Sequence, residues 1–142
     1  MITIDASVLV AAGAAEDPAN RESMEFLRDA LRAGLAVHQP TLSLVEVSAS
    51  IARRTNDPAL AREAGLRLLQ MPGLVMHPLD IEAAAESAAI AGRALLRGAD
   101  AVYVATALRH GTTLVTLDQE LLTRTAPIVD SVTPAEWLER HG

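Results

Sequence analysis

The stretch Met1-Ile2-Thr3-Ile4-Asp5-Ala6-Ser7-Val8-Leu9-Val10 decides the fold, because it joins a short apolar strand to a helix with one acid between them. We expect a buried strand at residues 2–5 and a helix that starts near Ser7. An aspartate in such surroundings is costly to bury unless it is paired or holds a metal. The stretch therefore predicts an α/β arrangement with a charged group where the first strand ends.

Three further acids occupy similarly apolar surroundings. Glu46 interrupts a run of leucine and valine, Asp100 opens a stretch rich in alanine and valine, and Asp118 closes the run 114–117. Four carboxylates that converge on one pocket repel each other unless a cation lies between them. If these acids converge, the pattern indicates a divalent metal.

Length and composition predict one domain over residues 1–142 with an aliphatic, alanine-rich core, since half of the residues are apolar and 2% are aromatic. Cysteine is absent, which excludes disulfides and thiolate metal sites. We see neither a signal-peptide pattern nor an uninterrupted apolar run of roughly 18 residues. The expectation is a soluble, cytoplasmic protein.

The charge balance is acidic, with 18 acidic residues against 12 arginines, no lysine and a net charge of -6. The absence of lysine excludes a P-loop lysine, a Schiff-base lysine and a receiver-domain lysine. The acidic balance argues against broad, sequence-blind binding to nucleic acid. A local arginine patch can still hold a phosphate backbone.

Short apolar segments alternate with helical patterns along the chain. We predict strands at residues 2–5, 35–38, 74–77, 113–116 and 127–130. Predicted helices begin near Ser7, at Asn20 as N-cap, at Thr41 as cap, and at residues 58, 80, 98, 119 and 134. This alternation predicts a three-layer α/β/α fold around a short, mostly parallel sheet of four or five strands.

Ligands bind beyond the carboxyl ends of the strands in open α/β sheets. Asp5 and Asp118 lie at or just past such ends, Asp100 lies in the first turn of its helix, and Glu46 lies one turn into its own. All four side chains can therefore reach one crevice.

Carboxylate and water oxygens are the ligands that Mg²⁺ and Mn²⁺ prefer. Two such ions about 3.5–4 Å apart activate water and stabilise a leaving oxygen in phosphodiester cleavage. Ser7 and Thr116 are candidates for orienting the carboxylates or a bound water through their hydroxyls.

Each acid also has a purely structural interpretation. Asp100 suits a helix N-terminus, Asp118 and Asp5 suit N-caps, and a helix face can turn Glu46 outward. Spacing alone does not decide between these interpretations and the joint site.

The ordered segments Ile4–Val10, Asp100–Leu108 and Thr113–Asp118, with Glu46 between the first two, resemble a PIN domain, specifically a VapC-like toxin ribonuclease. The resemblance covers essentially the whole chain. Any one segment alone is a weak signal.

The resemblance implies a Mg²⁺- or Mn²⁺-dependent endoribonuclease that cleaves RNA. Asp5, Glu46, Asp100 and Asp118 would form its acidic metal site, with Asp118 acting directly or through water. It also implies a small cognate antitoxin as partner and a homodimer.

Two arginine pairs, Arg53 with Arg54 and Arg93 with Arg97, are candidate RNA-backbone contacts, although a solvated helix face is the favoured explanation for them. Alternative functions are a PIN nuclease of RNA processing or decay and a non-catalytic RNA- or protein-binding module. A phosphatase is disfavoured because the Asp5 motif lacks a second acid.

Overall fold

A five-stranded sheet forms the centre of the computed structural model, which describes residues 1–142. All neighbouring strands run parallel, in the order β3-β2-β1-β4-β5. The strands are β1 (Ile2–Ile4), β2 (Val37–Pro40), β3 (Leu74–His77), β4 (Thr113–Val115) and β5 (Ser131–Val132). The predicted three-layer α/β/α fold with a parallel sheet is confirmed.

Eight helices cover the two faces of this sheet. They are α1 (Ala6–Gly13), α2 (Asn20–Arg32), α3 (Leu42–Thr55), α4 (Pro58–Leu69), α5 (Ile81–Ala94), α6 (Gly98–His110), α7 (Gln119–Thr125) and α8 (Pro134–His141). No helix combines the length and the apolar character needed to cross a lipid bilayer.

Apolar side chains fill both faces of the sheet. On one face, Ile2 and Ile4 pack with Phe26 of α2 and Trp137 of α8. On the other, Leu114 of β4 packs with the buried side of α6. Since side chains alternate along a strand, the two faces need apolar residues at successive positions, which explains the short continuous apolar strands.

The direction of the strand order reverses at β1. Successive strands add on one side of β1 as far as β3, and β4 and β5 then add on the other side. The gap beyond the carboxyl ends of β1 and β4 is therefore the topological switch point, where ligands bind in open α/β sheets.

Gln39 replaces part of the hydrogen-bond ladder between β1 and β2. Backbone pairing of these strands is limited to Ile2 with Val37. The fully buried Gln39 side chain accepts from the Ile4 N–H at 2.6 Å and donates to the Ile4 carbonyl at 2.8 Å. It also donates to the Ser43 hydroxyl at 3.0 Å. The residue just before the first acid is thereby fixed by a side-chain amide.

The predicted strand at 127–130 is wrong, because the last strand is Ser131–Val132. The N–H groups of Ile128 and Val129 both donate to the Thr125 carbonyl. These residues therefore continue the turn that ends α7, and pairing with β4 begins only after it.

The second strand lies two residues later than predicted, at Val37–Pro40 rather than 35–38. The Leu35 N–H donates to the Ala30 carbonyl and so belongs to the end of the preceding helix. Pro40 is the final residue of β2, and the next bond to β3 comes from the Thr41 N–H, which donates to the His77 carbonyl at 2.9 Å.

The predicted capping role of Asn20 is also wrong. Asn20 is the first residue of α2, and its side-chain amide donates to the carbonyls of Ala11 and Ala12. Thr41 occupies the predicted N-cap position of α3, but its hydroxyl accepts from the Leu79 N–H and forms no capping hydrogen bond. Both side chains bond to groups outside the helix that begins beside them.

We expect Gln39→Leu to lower the free energy of unfolding by roughly 2–4 kcal/mol, because it leaves the Ile4 N–H and carbonyl buried without partners. Urea unfolding followed by circular dichroism measures this change. The exposed Gln70→Leu is the control and should stay within about 0.5 kcal/mol of the parent. A loss below about 1 kcal/mol for Gln39→Leu would show that the amide is dispensable.

Candidate active site

Asp5 lies at the switch point and is only 6% exposed. Its N–H donates to the Val115 carbonyl at 2.9 Å, which continues the ladder between β1 and β4. Asp5 precedes α1 in the N-cap position, but its carboxylate forms no capping hydrogen bond. Instead, Oδ2 accepts from the hydroxyls of Ser7 at 2.6 Å and Thr116 at 2.8 Å. The hydroxyls of Ser7 and Thr116 therefore orient the carboxylate, which does not cap α1.

Both hydroxyls that donate to Asp5 have a fixed direction. Ser7 Oγ accepts from the Leu117 N–H at 3.2 Å, and Thr116 Oγ1 accepts from the Asp118 N–H at 3.1 Å. A hydroxyl that accepts from a backbone donor has its own proton free to point at the carboxylate. The two hydroxyls thus link the turn after β4 to Asp5.

Glu46 faces inward from α3 and meets Tyr103 of α6. Its Oε1 atom and the Tyr103 hydroxyl are both buried, and neither has a hydrogen-bond partner of good geometry. The Tyr103 hydroxyl lies near Glu46 and Ser43, and burial raises the pKa of Tyr103. The hydroxyl therefore stays protonated at neutral pH.

Arg97 joins the remaining two acids. Its guanidinium lies 3.1 Å from Oδ2 of Asp100 and 3.2 Å from Oδ2 of Asp118. The other Asp118 oxygen accepts from the N–H groups of Glu120 and Leu121, so Asp118 also caps α7. The structural interpretation of Asp118 thus holds for one oxygen, while the second faces Arg97.

The electrostatics of this cluster disfavour ionised carboxylates. Burial raises the pKa of Asp5 despite the hydrogen bonds from Ser7 and Thr116, and the charge of Asp100 raises it further. Burial also raises the pKa of Glu46, with added repulsion from Asp5 and Asp100. A cation near these groups would remove the repulsion.

A hydrated divalent cation fits this arrangement. No three of the four acids bring carboxylate oxygens within 4.8 Å of one another. Mg²⁺ usually keeps several waters and binds through one or two carboxylates, which matches such spacing. The partnerless Oε1 of Glu46 is an available acceptor for such a hydrated ion. The assignment of the four acids as metal ligands stays a prediction.

The arginines that were predicted to contact RNA lie in different places on the surface. Arg97 lies against the acids, and Arg124 lines the same small cleft although its sequence surroundings gave no signal. Arg54 instead forms an ion pair with Asp17 at 3.1 Å, away from the acids. Arg93 lines a different surface cleft.

Comparison with known proteins agrees with this fold. The PIN domain family model matches residues 2–126. No curated protein matches the chain in sequence. The chain belongs to the PIN domain family, a family of nucleases that use divalent metals.

Three solved structures illustrate the structural similarity. FitAcB from Neisseria gonorrhoeae is 22% identical with a TM-score of 0.72, over 95% of this chain and 99% of that chain. VapC20 from Mycobacterium tuberculosis, a sarcin-ricin loop cleaving toxin, is 18% identical with a TM-score of 0.73, over 92% and 98%. A toxin–antitoxin complex from Klebsiella pneumoniae gives 21% identity and a TM-score of 0.65, over 94% and 98%. At these identities the likeness shows the fold alone.

We expect metal-free protein to lose stability as pH rises through the raised pKa values of Asp5 and Glu46. The folded state holds these protons at a higher pH than the unfolded chain does, so unfolding releases protons in that window and the free energy of unfolding falls. Asp5→Asn removes one such group. In chelator at neutral pH this variant should melt above the parent, and the difference should narrow as pH falls towards 3.8.

Thermal melts in chelator across pH measure this difference, and Mg²⁺ should raise the melting temperature of the parent more than that of Asp5→Asn. The exposed Asp29→Asn is the control and should follow the parent. If the difference in melting temperature between Asp5→Asn and the parent does not change with pH, the ionised Asp5 carboxylate does not destabilise the fold.

Proposed function

We propose that this chain is a cytoplasmic, Mg²⁺- or Mn²⁺-dependent endoribonuclease that hydrolyses RNA phosphodiester bonds and serves as the toxin of a toxin–antitoxin pair. The single observation that supports this best is the buried, hydroxyl-bonded Asp5 at the switch point, with Asp100 close enough to raise its pKa and with both aspartates close enough to raise the pKa of Glu46. The cleaving activity of the structurally similar VapC20 adds support.

The four acids divide into two kinds by their surroundings. Asp5 is buried, and Glu46 is half-buried with its Oε1 atom out of contact with solvent, while Asp100 and Asp118 are partly exposed at the rim. We assign Asp5, Glu46 and Asp100 as metal-holding carboxylates and Asp118 as a group that acts directly or through water. A divalent cation bound there supplies Lewis acidity towards a phosphodiester.

Ser7 and Thr116 are positioning residues in this proposal. Their hydrogen bonds leave Oδ1 of Asp5 outside the hydroxyl pair, because both hydroxyls donate to Oδ2. This fixes the rotation of the carboxylate, so one oxygen is held for the protein and the other is available to a ligand.

Arg97 and Arg124 are the basic groups at the rim, and we assign them to phosphate oxygens of the RNA. Arg97 is 78% exposed, so solvent screens its ion pairs to Asp100 and Asp118 and they contribute little to stability. The guanidinium can therefore leave these oxygens and turn to a phosphate at little cost. Local arginines of this kind offset the acidic net charge of the chain.

An apolar groove between α1, α2, α3 and α4 is the surface that we assign to the antitoxin. Its lining includes Leu9, Leu27, Ile51, Leu60 and Ala64, around a cavity of about 430 Å³. Such a groove suits the apolar face of an amphipathic helix. The Klebsiella pneumoniae structure is a toxin–antitoxin complex on the same fold, which supports a partner of this kind. Homodimerisation stays a prediction from the sequence resemblance.

We expect Asp100→Asn, Glu46→Gln and Asp5→Asn each to reduce RNA cleavage at least about 100-fold, because loss of even an outer-shell partner of a metal costs 10–100-fold. The measurement is cleavage of a mixed RNA pool by purified protein with Mg²⁺, with Mn²⁺ and with chelator. Asp29→Asn is the matched control and should cleave at the parent rate. Cleavage by Asp100→Asn at the parent rate would refute the mechanism.

We expect Ser7→Ala to lower cleavage by about 10–100-fold, the range typical for groups that orient a metal ligand. The loss should shrink when the Mg²⁺ concentration is raised, because the variant misplaces Asp5 rather than removing it. A metal titration of the cleavage rate tests this. A loss that is independent of metal concentration would show that Ser7 acts in another way.

We expect Leu60→Arg to abolish capture of the antitoxin, since it places a charge in the apolar groove. The measurement is a search of the neighbouring genes for a short reading frame, then its co-expression with this chain and purification of the complex. Leu108→Arg changes a side chain of similar exposure, 48% against 44%, on α6 outside the groove and should leave capture intact. Equal capture by both variants would place the antitoxin elsewhere.

RNA cleavage without growth arrest and without any partner protein would favour an RNA-processing nuclease.

A further inference from the structure

Three of the four histidines of the chain meet at one place, away from the acids. They come from three separate elements: His38 from β2, His77 from the end of β3 and His110 from the end of α6. One ring nitrogen from each lies within 4.8 Å of the others. It is the one group of three metal-ligating side chains in the chain that meets this spacing.

The strand register explains why these rings meet. Val37 packs with the core on the α2 side of the sheet, so the next residue, His38, points to the face that α6 covers. Pro40 shares the face of His38 and pairs with His77 in the neighbouring strand. His110 ends α6 on that same face. The cluster is thus built by the fold and not by chance rotation of long surface side chains.

The three rings contact one another directly, through one hydrogen bond and one ring stack. His38 Nδ1 and His77 Nε2 are 2.8 Å apart, a hydrogen bond in which one nitrogen donates and the other accepts. His110 stacks on His77 with ring centroids 3.7 Å apart and planes 16° from parallel. The His110 ring nitrogens have no hydrogen-bond partner within the protein, so a lone pair is available there.

Separation of two rings and reorientation of the third convert this cluster into a coordination site. Two nitrogens about 2.1 Å from a tetrahedral ion lie about 3.4 Å apart. His38 Nδ1 and His77 Nε2, which are 2.8 Å apart, therefore need to separate by roughly 0.6 Å. The bridging proton passes to the other nitrogen of its neutral ring, and both lone pairs then face the ion. His110 turns about its last torsion, which is broad for histidine, to bring its ring plane onto the ion.

The surroundings permit a cation. Two positive groups lie near the cluster: the Met1 amino terminus, close to His38, and Arg109, which is engaged by Glu82 at 3.3 Å and Glu86 at 3.6 Å. His77 and His110 line an open cleft of about 240 Å³, which leaves room for water as a fourth ligand.

We propose that His38, His77 and His110 bind a divalent transition metal of the zinc class, with water in the remaining position. Imidazole nitrogen suits zinc, cobalt and nickel, whereas Mg²⁺ requires oxygen. The site is separate from the acids, since about 15 Å of helix lies between His110 and Asp100. The ion would join β2, β3 and α6, and the inference does not depend on the nuclease activity.

Titration with Co²⁺ tests the proposal, because a tetrahedral site gives Co²⁺ an intense visible absorption. The protein used is the full chain bearing Asp5→Asn and Asp100→Asn, so that the acids do not compete for the metal. We expect one Co²⁺ per chain, displaced by Zn²⁺. His77→Gln or His110→Gln should weaken binding at least about 100-fold, since loss of even an outer-shell partner costs 10–100-fold. His141→Gln changes the fourth histidine, which stacks on Trp137, and is the matched control.

A second measurement needs no histidine variant. Zn²⁺ should shift the imidazole nitrogen signals of three histidines in a ¹⁵N spectrum and leave that of His141 unchanged, and it should raise the melting temperature. Absence of a Co²⁺ band together with unshifted imidazole signals would overturn the proposal. Binding of equal strength in His77→Gln, His110→Gln and His141→Gln would overturn it as well.

Discussion

Burial of a single carboxylate, that of Asp5, is the constraint on which the site depends. The central strand β1 ends at Ile4, and the chain enters α1 immediately afterwards, so the intervening acid cannot reach solvent. An ionised carboxylate in that position needs hydrogen-bond donors or a cation. Ser7 and Thr116 supply two donors, yet burial still raises the pKa of Asp5. The fold therefore buries a carboxylate whose charge is only partly compensated by its own hydrogen bonds.

This constraint extends outward through two elements that have to be held in register. The turn after β4 is tied to Asp5 by the hydroxyls of Ser7 and Thr116, which also accept from backbone groups of that turn. On the other side, Gln39 takes over the bonds of Ile4 where the β2 ladder is missing. The strands on both sides of β1 are thus fixed by polar side chains at the level of the acid. Stability and site geometry come from the same hydrogen bonds.

The sequence predicted much of this arrangement, because its strongest signals are local. Apolar runs that end in an acid predicted β1 and β4, and α6 was bounded correctly by Gly98 and Gly111, the latter in the left-handed conformation that favours glycine. The errors fell where tertiary contacts decide, as for Asn20, whose amide bonds the end of α1 instead of capping α2. Gln39 was missed for the same reason, because nothing in the sequence pattern distinguishes a buried glutamine from one at the surface.

The candidate site shows the same division between local and distant information. The four acids stood out in the sequence because each interrupts an apolar run. Their partners did not, because Arg97 meets Asp118 and Tyr103 meets Glu46 only after the helices have packed. Likewise, no spacing rule links His38, His77 and His110, whose meeting follows from the register of β2 with β3.

The acidic net charge and the proposed RNA substrate are reconciled by the position of the charges. Asp5 is buried and Glu46 half-buried, and their raised pKa values reduce the negative charge that an approaching phosphate meets. Arg97 and Arg124 line a small cleft together with Asp100 and Asp118. A phosphate that reaches this cleft therefore meets two guanidinium groups beside the two partly exposed carboxylates. Under the proposed function, a metal held by the acids would offset their charge and leave Arg97 free to contact a phosphate. The basic character that the proposal requires is thus local, which a net charge of -6 does not reveal.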